Sequence, residues 1–392
     1  MKRWVALLVV MLLIPVYLTL PAWPLWSPRP TAEPSAPHAP PGDSGWRAVW
    51  VSYLEWSRMD LHDEAAFRAE TAALLDNVEA LGANVILAHL RPFGDALYRS
   101  DLAPFSHLCT GTQGQDPGYD PLAVLLEAAH ARGIQVEAWL NPYRIQQGGW
   151  PALCEASPAM QHPDWVRTVG QDLYLNPAEP AVQQYLADVV TELCTRYPVD
   201  GIHFDDYFYP TTDPAFDGYT GDDLTAWRRG NVDALITACA AAARAQGVRF
   251  GVSPQGTIEG NRDGQYSDVT RWLAEGMVDY LAPQLYWGLQ YRAQGSDRLA
   301  LRSLAAQWLA LPRHPDTALY FGLGAYRIGA GDGGDDPAEW QSGHALADQI
   351  TALRDLCGTA PGVALYRYDS LFANTQNPTL AAQEVRAVWA AW

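Results

Sequence analysis

The sequence predicts an α/β protein of the (β/α)8 TIM-barrel type, and three observations predict it. From Gly45 onward, eight short β-rich apolar runs recur at 46–53, 84–90, 134–140, 201–204, 248–253, 278–285, 317–323 and 362–368. Helix-patterned stretches separate them, the clearest at 64–81, 121–132, 180–197, 222–246, 297–311 and 345–356. Polar residues gather at the C-terminal ends of six of the runs. Strands alternating with helices imply parallel pairing through right-handed crossovers. Eight such units in roughly 350 residues fit a barrel with enlarged βα loops. A doubly wound sheet is the competing fold, but the first strand runs into Tyr53-Leu54-Glu55-Trp56 where that fold needs a glycine-rich phosphate loop.

Taken in chain order, residues 1–20 read as a signal or anchor segment. Lys2 and Arg3 precede an apolar run, 4–20, broken only by Pro15 and Thr19, which is the pattern of an export leader. The stretch Leu20-Pro21-Ala22-Trp23-Pro24 offers no small-x-small cleavage site. A cleaved leader and a retained anchor therefore both stand, although the run is short for a bilayer span. Residues 21–44 are rich in Pro, Ala and Ser and read as an extended linker. The barrel is expected over 45–392, as a monomer outside the cytoplasm, touching a membrane only through its N-terminal segment. Of the five cysteines, Cys109 and Cys154 fall in loops after adjacent strands and are the expected disulfide. Cys194 and Cys239 lie in helical patterns and read as small buried apolar residues. No cofactor is expected, and no Cys/His spacing suggests zinc.

Composition narrows the chemistry. The net charge of -18 argues against nucleic acid or an anionic membrane surface as partner. Lys2, in the leader, is the only lysine, which removes Schiff-base, pyridoxal phosphate and P-loop chemistry from the barrel. With 16 Trp and 19 Tyr against 9 Phe, the chain favours rings with a polar edge, which suit ligands presenting C–H faces and hydroxyls, as sugars do.

Barrel enzymes place their chemistry at the C-terminal strand ends. Here strand one runs into Glu55, strand two into His89-Leu-Arg91 and Asp95, and strand three into Asn141-Pro-Tyr143-Arg144. Strand four ends in Asp205-Asp206-Tyr207, strand six in Gln284-Leu-Tyr286-Trp287, and strand eight in Tyr366-Arg-Tyr-Asp369. Strand four carries the sharpest signal. Side chains alternate along a strand, so His203 and Asp205 are expected to face the barrel mouth while Ile202 and Phe204 pack against helices. Two adjacent carboxylates repel, and one should hold its proton to higher pH, which suits a general acid near neutrality. A helix cap or an arginine ion pair is the alternative reading of Asp206. His203 and Asp205 form a possible His-x-Asp metal pair, but no third ligand has the spacing to complete it.

Val199-Asp-Gly-Ile-His-Phe-Asp-Asp-Tyr-Phe-Tyr-Pro210 resembles the signature of the bacterial glycosyl-hydrolase-like family 10. Arg91-Pro-Phe-Gly-Asp-Ala-Leu-Tyr98, Gly111-Thr-Gln-Gly114, Asp116-Pro-Gly-Tyr-Asp-Pro121, Ala138-Trp-Leu-Asn-Pro-Tyr-Arg144 and Pro283-Gln-Leu-Tyr-Trp287 resemble it too. The resemblance implies a TIM barrel, export, and glycosidase activity, with some members cleaving peptide-free peptidoglycan strands. Glu137 departs from it, standing where histidine is expected. Its parity with Asn141 turns it toward the barrel interior, where a structural pairing with Arg91 or His203 is expected.

Two catalytic schemes follow. In one, Asp205 or Asp206 is the acid and a distant carboxylate, Glu55 or Asp369, is nucleophile or base. In the other, the substrate's own 2-acetamido group attacks, Asp205 orients it and Asp206 protonates the leaving oxygen. The chitinase motif Asp-Gly-x-Asp-x-Asp-x-Glu is similar in outline, but Tyr207 stands at its glutamate. Arg91, Asn141, Tyr143, Arg144, His203, Tyr207, Gln284, Tyr286 and Trp287 are the candidate substrate-binding residues, with Arg91 assigned to a lactyl carboxylate. Two other functions compete. An amylase-like α-glucan hydrolase fits Asp200–Asp205 but lacks a glutamate at Ser253-Pro-Gln255. A non-catalytic glycan-binding barrel would gain nothing from paired carboxylates.

Overall fold

The computed structural model describes residues 45–392; the expected leader and linker, 1–44, lie outside the described residues. Eight parallel staves form a barrel. They are β1 (Arg47–Val51), β2 (Val85–Arg91), β3 (Gln135–Leu140), β4 (Gly201–Phe204) and β5 (Arg249–Val252), then β6, β7 and β8 (Val363–Tyr366). β6 comes in two pieces, Tyr280–Leu281 and Gln284–Leu285, as does β7, Ala318–Leu319 and Phe321–Gly324. The break in β6 falls at Pro283, which has no N–H to donate to the ladder. Neighbouring staves pair in parallel all the way round, and β8 closes on β1 through Arg47–Val363 and Val49–Leu365.

Each stave is followed by a helix: α1 (Glu64–Leu81), α2 (Pro121–His130), α3 (Pro180–Arg196), α4 (Leu224–Ala245), α5 (Val269–Glu275), α6 (Leu301–Leu309), α7 (Ala345–Cys357) and α8 (Pro378–Ala391). α5 and α8 are additions to the sequence reading. α1 shows how locally these are specified: the Asp63 side chain accepts from Ala66 N, and the helix stops at Gly82 with φ 78°. Among the described residues no helix is long and apolar enough to cross a membrane.

Strand alternation divides the core in two. Val49, Val51, Ile86, Ala88, Ile202 and Phe204 point outward and pack with the helices. Trp46, Ala48, Trp50, Leu87, Trp139, Tyr280 and Tyr320 fill the barrel interior, where Trp46 stacks on Tyr320 at 4.2 Å between centroids. Glu137 also points in, but its partners differ from those expected. It accepts from Trp46 Nε1 (2.9 Å) and the Tyr280 hydroxyl (2.5 Å), and it is ion-paired to Arg249. Arg91 cannot reach it, because a register shift between His89 and Arg91 turns that side chain out of the barrel.

The enlarged loop after β3 carries a three-stranded antiparallel sheet, Arg144–Gln146, Asp172–Leu175 and Val166–Val169, that the sequence reading did not anticipate. The expected Cys109–Cys154 disulfide is absent, and both thiols are free. Cys109 faces the outer core, whereas Cys154 packs over Gly114, whose added Cβ would stand 2.8 Å from its sulfur.

Candidate active site

β4 delivers the site. It can lie close to β3 because Gly201 has no Cβ; one there would meet Glu137 Oε2 at 2.7 Å. His203 and Asp205 then follow on the inward side. His203 is fully buried below the cleft and is pushed down to about 3, by burial first and by the Arg249 charge second. It is therefore neutral, and its neighbours fix its tautomer. Tyr280 gives its only proton to Glu137, so its oxygen accepts from His203 Nδ1 (2.7 Å). His203 Nε2 is then the acceptor for the Ser253 hydroxyl (2.9 Å) and Trp50 Nε1 (3.2 Å).

Above that floor, Asp205 is buried and accepts from Trp139 Nε1 (3.0 Å), Asn141 Nδ2 (3.1 Å) and Tyr207 N (3.2 Å). Trp139 is itself held by a parallel stack on His89, with centroids 3.7 Å apart. Burial raises the Asp205 carboxyl above its usual range, against the lowering effect of the Arg144 charge and these donors. Asp206 accepts from Gln284 Nε2 (3.0 Å). It is pushed up to about 6, by burial first and by the charge of Asp205 second. The two carboxylates open on a cleft of about 550 Å3, which continues into solvent and is lined by Trp50, Trp139, Asp205, Asp206, Tyr207, Ser253, Gln284, Tyr286, Tyr326 and Tyr366. Tyr286 and Tyr366 stack at 5.4 Å, and Trp50 meets Tyr366 edge-on.

Five expected site residues thus line the cleft together: Asp205, Asp206, Tyr207, Gln284 and Tyr286. The others lie elsewhere. Glu55 caps the short helix Tyr53–Trp56, accepting from Ser52 N (2.8 Å) and Asp369 N (3.1 Å) and pairing with Arg367. Asp369 is paired in turn with Arg58 and Arg367. Both carboxylates proposed as distant nucleophile or base are therefore committed to ion pairs outside the cleft. Arg91 is buried among the outer helices, donating to the carbonyls of Asn141 (2.8 Å) and Pro142 (3.2 Å). The expected lactyl contact is closed to it. Tyr143 is buried in the outer core, and Trp287 packs against that core from its edge. Asn141 is buried as the support of Asp205, and His203 is the floor described above. Arg144 stands at the cleft edge, its charge felt by Asp205.

Trp50, Trp139, Ser253, Tyr326 and Tyr366 complete the lining; Tyr366 belongs to one of the polar strand ends read from the sequence, and none of the five is among the expected site residues. Strand parity identifies two of them, since Trp139 shares a face with Glu137 and Asn141, and Trp50 with Ala48. Tyr326 follows β7 in a single 3-10 turn, Ala325–Arg327, too short for periodicity to mark it. Among the described residues no group of three His, Cys, Asp or Glu is placed to hold a metal ion.

The chain matches the family described as Glycosyl hydrolase-like 10 over residues 45–341. It is 33% identical to the glycosyl hydrolase YngK of Bacillus subtilis (strain 168), covering 80% of this chain and 66% of that protein. It is 32% identical to the glycosyl hydrolase DigH of Escherichia coli (strain K12), covering 88% of this chain and 89% of that protein. Among solved structures, the PgaB (BpsB) glycoside hydrolase domain from Bordetella bronchiseptica superposes with a TM-score of 0.55 at 16% identity, over 87% of this chain and 98% of that one. That likeness is one of fold.

Proposed function

Because the chain belongs to the Glycosyl hydrolase-like 10 family and is a glycosidase, we propose that its substrate is the peptide-free glycan strand of the bacterial cell wall, met outside the cytoplasm. We assign Asp206 as general acid and Asp205 as the group that orients the substrate's 2-acetamido nucleophile. The observation that carries the mechanism is the carboxylate inventory: the two that line the cleft are sequence neighbours. Glycosidases with two protein carboxylates set them on opposite sides of the scissile bond. Neighbours on one strand end do not span a sugar ring in that way, and the more distant Glu55 and Asp369 are tied to arginines.

In the proposed reaction, protonated Asp206 gives its proton to the glycosidic oxygen as the bond from that oxygen to C1 breaks. The acetamido carbonyl oxygen bonds to C1, giving an oxazolinium whose N–H is held by the Asp205 carboxylate. Asp206, now ionised, takes a proton from water as that water attacks C1, and the acetamido group is restored with retention. Asp205 suits its part because three donors hold it rigid. The leader-like pattern of the first 20 residues and the aromatic cleft walls agree with an N-acetylated cell-wall sugar.

The test uses the purified full chain and glycan strands stripped of stem peptides, with products read by mass spectrometry and Asp206→Asn in parallel. Wild type is expected to release short GlcNAc–MurNAc oligomers. Asp206→Asn should lose about 10²- to 10⁴-fold in kcat while still binding strands. Equal release by both proteins removes Asp206 from the chemistry. Binding without release in both makes the protein a glycan-binding barrel.

A further inference from the structure

In a strongly acidic protein, Arg144 is a cation kept free beside the cleft. Its backbone N–H is anchored by the Asn141 side chain (2.9 Å) and its Nε donates to Pro92 O (3.0 Å). Its terminal guanidinium nitrogens carry no hydrogen bond to any described residue. The guanidinium carbon lies instead near three ring centroids, Phe93 at 4.7 Å, Tyr53 at 5.4 Å and Tyr207 at 5.9 Å. The Nε bond and the ring contacts hold the guanidinium in place while leaving its terminal N–H groups unspent, the preorganisation that two-point recognition of a carboxylate requires.

The ring contacts continue away from the cleft. Phe93 meets His107 edge-on at 5.5 Å, and His107 meets Trp150 at 5.6 Å and 87°. His107 is buried and held by Asp95 (3.2 Å), which also accepts from Gln113 (3.3 Å). Gln113 in turn accepts from Cys154 N (3.1 Å), tying this support to the loop that carries Trp150. Trp150 is thus braced from below, yet 55% of its surface is exposed, as is 58% of Tyr207 at the cleft mouth. An exposed tryptophan fixed by a buried His–Asp pair is a platform, and four contacts of at most 5.9 Å connect it to Tyr207.

We propose that Arg144 and Trp150 extend the cleft into a track for a long, carboxylate-bearing glycan strand. Arg144 holds the carboxylate of a sugar at the cleft edge, and Trp150 stacks a sugar farther along the strand. This inference rests on the glycosidase reading above and adds the selection of charged, polymeric substrate. The lactyl carboxylate of the cell-wall strand supplies the required anion, in the role that Arg91 is too deeply buried to fill.

The experiment compares three substrates: peptide-free strands, the same strands with their carboxylates reduced to alcohols, and tetrasaccharides cut from the native strand. Wild type is expected to lose tenfold or more in kcat/KM on reduction of the carboxylates. Arg144→Met should lose a similar factor on native strands and little on reduced ones, and Arg144→Lys should recover part of the loss. Trp150→Ala should raise KM on long strands several-fold more than on tetrasaccharides. Equal wild-type rates on native and reduced strands overturn the carboxylate clamp, and a Trp150→Ala effect independent of length overturns the track; the glycosidase reading survives either result. Cleavage of none of the three substrates by wild type overturns the cell-wall reading and the track with it.

Discussion

Asp206 can act as an acid only while it holds its proton, so the environment that raises its carboxyl to about 6 sets the alkaline limit of activity. kcat is expected to fall as pH rises through about 6, by up to tenfold per unit. The same shift has a thermodynamic side. A carboxyl raised above its unfolded value near 3.8 binds its proton more tightly in the native state, so it costs stability once pH exceeds the unfolded value. Asp206→Asn should therefore match wild type in Tm below about pH 4 and become the more stable protein as pH rises through about 6. A Tm difference that stays flat with pH would remove the buried, charge-coupled environment argued for this side chain. Asp205 and Asp206 were legible in the sequence because strand parity and carboxylate repulsion are local rules. The commitment of Glu55 to Arg367 and of Asp369 to Arg58 was not, since those ion pairs join residues more than 300 positions apart.

At the scale of elements, the staves communicate through the barrel interior. Glu137 on β3, His203 on β4, Arg249 on β5 and Tyr280 on β6 form one hydrogen-bonded and ion-paired chain that ends on Ser253 and Trp50 in the cleft. Tyr280 can enter it because Gly251 has no Cβ; one would fall 2.0 Å from the phenol ring. Tyr280→Phe would leave His203 Nδ1 without an acceptor, a buried unsatisfied donor worth about 1–3 kcal/mol. The imidazole can escape that cost only by moving its proton to Nε2, which would make the Ser253 hydroxyl accept rather than donate and leave Trp50 Nε1 without its acceptor. We expect a lower Tm and a lower kcat, with the alkaline limit of the pH profile unmoved because Asp206 is not in the chain. A shift of that limit in Tyr280→Phe would show the chain setting the acid itself. Sequence periodicity located β3 to β6 and turned Glu137 inward, but it could not choose the glutamate's partner among several arginines. The bulge after His89 also reverses the parity on which Arg91's expected place depended.

At the scale of the whole molecule, the alternation of strands and helices was enough to give the barrel, yet its last helix escaped notice for a physical reason. The buried face of α8 is only Ala381, Glu384 and Val388, a thin apolar stripe with a carboxylate in the middle. That carboxylate is what docks the helix. Glu384 is fully buried and accepts from Ala345 N (2.7 Å) and Leu346 N (3.1 Å), the first free N–H groups of α7, which His344 leaves without a side-chain cap. Burial dominates these favourable bonds and the nearby His344, and Asp348 opposes them too, so the carboxyl is pushed up to about 7. Its folded value lies above its unfolded value near 4.5, so stability is undiminished below about pH 4.5 and falls as pH rises to about 7. The loss is on the order of 3 kcal/mol. Glu384→Gln should remove that part of the decline in Tm over pH 4.5–7, and combination with Asp206→Asn should give the flattest profile, since the two sites are remote and their effects should add. A Glu384→Gln profile parallel to wild type across this window would mean that the carboxylate is not desolvated at the α7–α8 junction, and that the barrel is closed there by apolar packing alone.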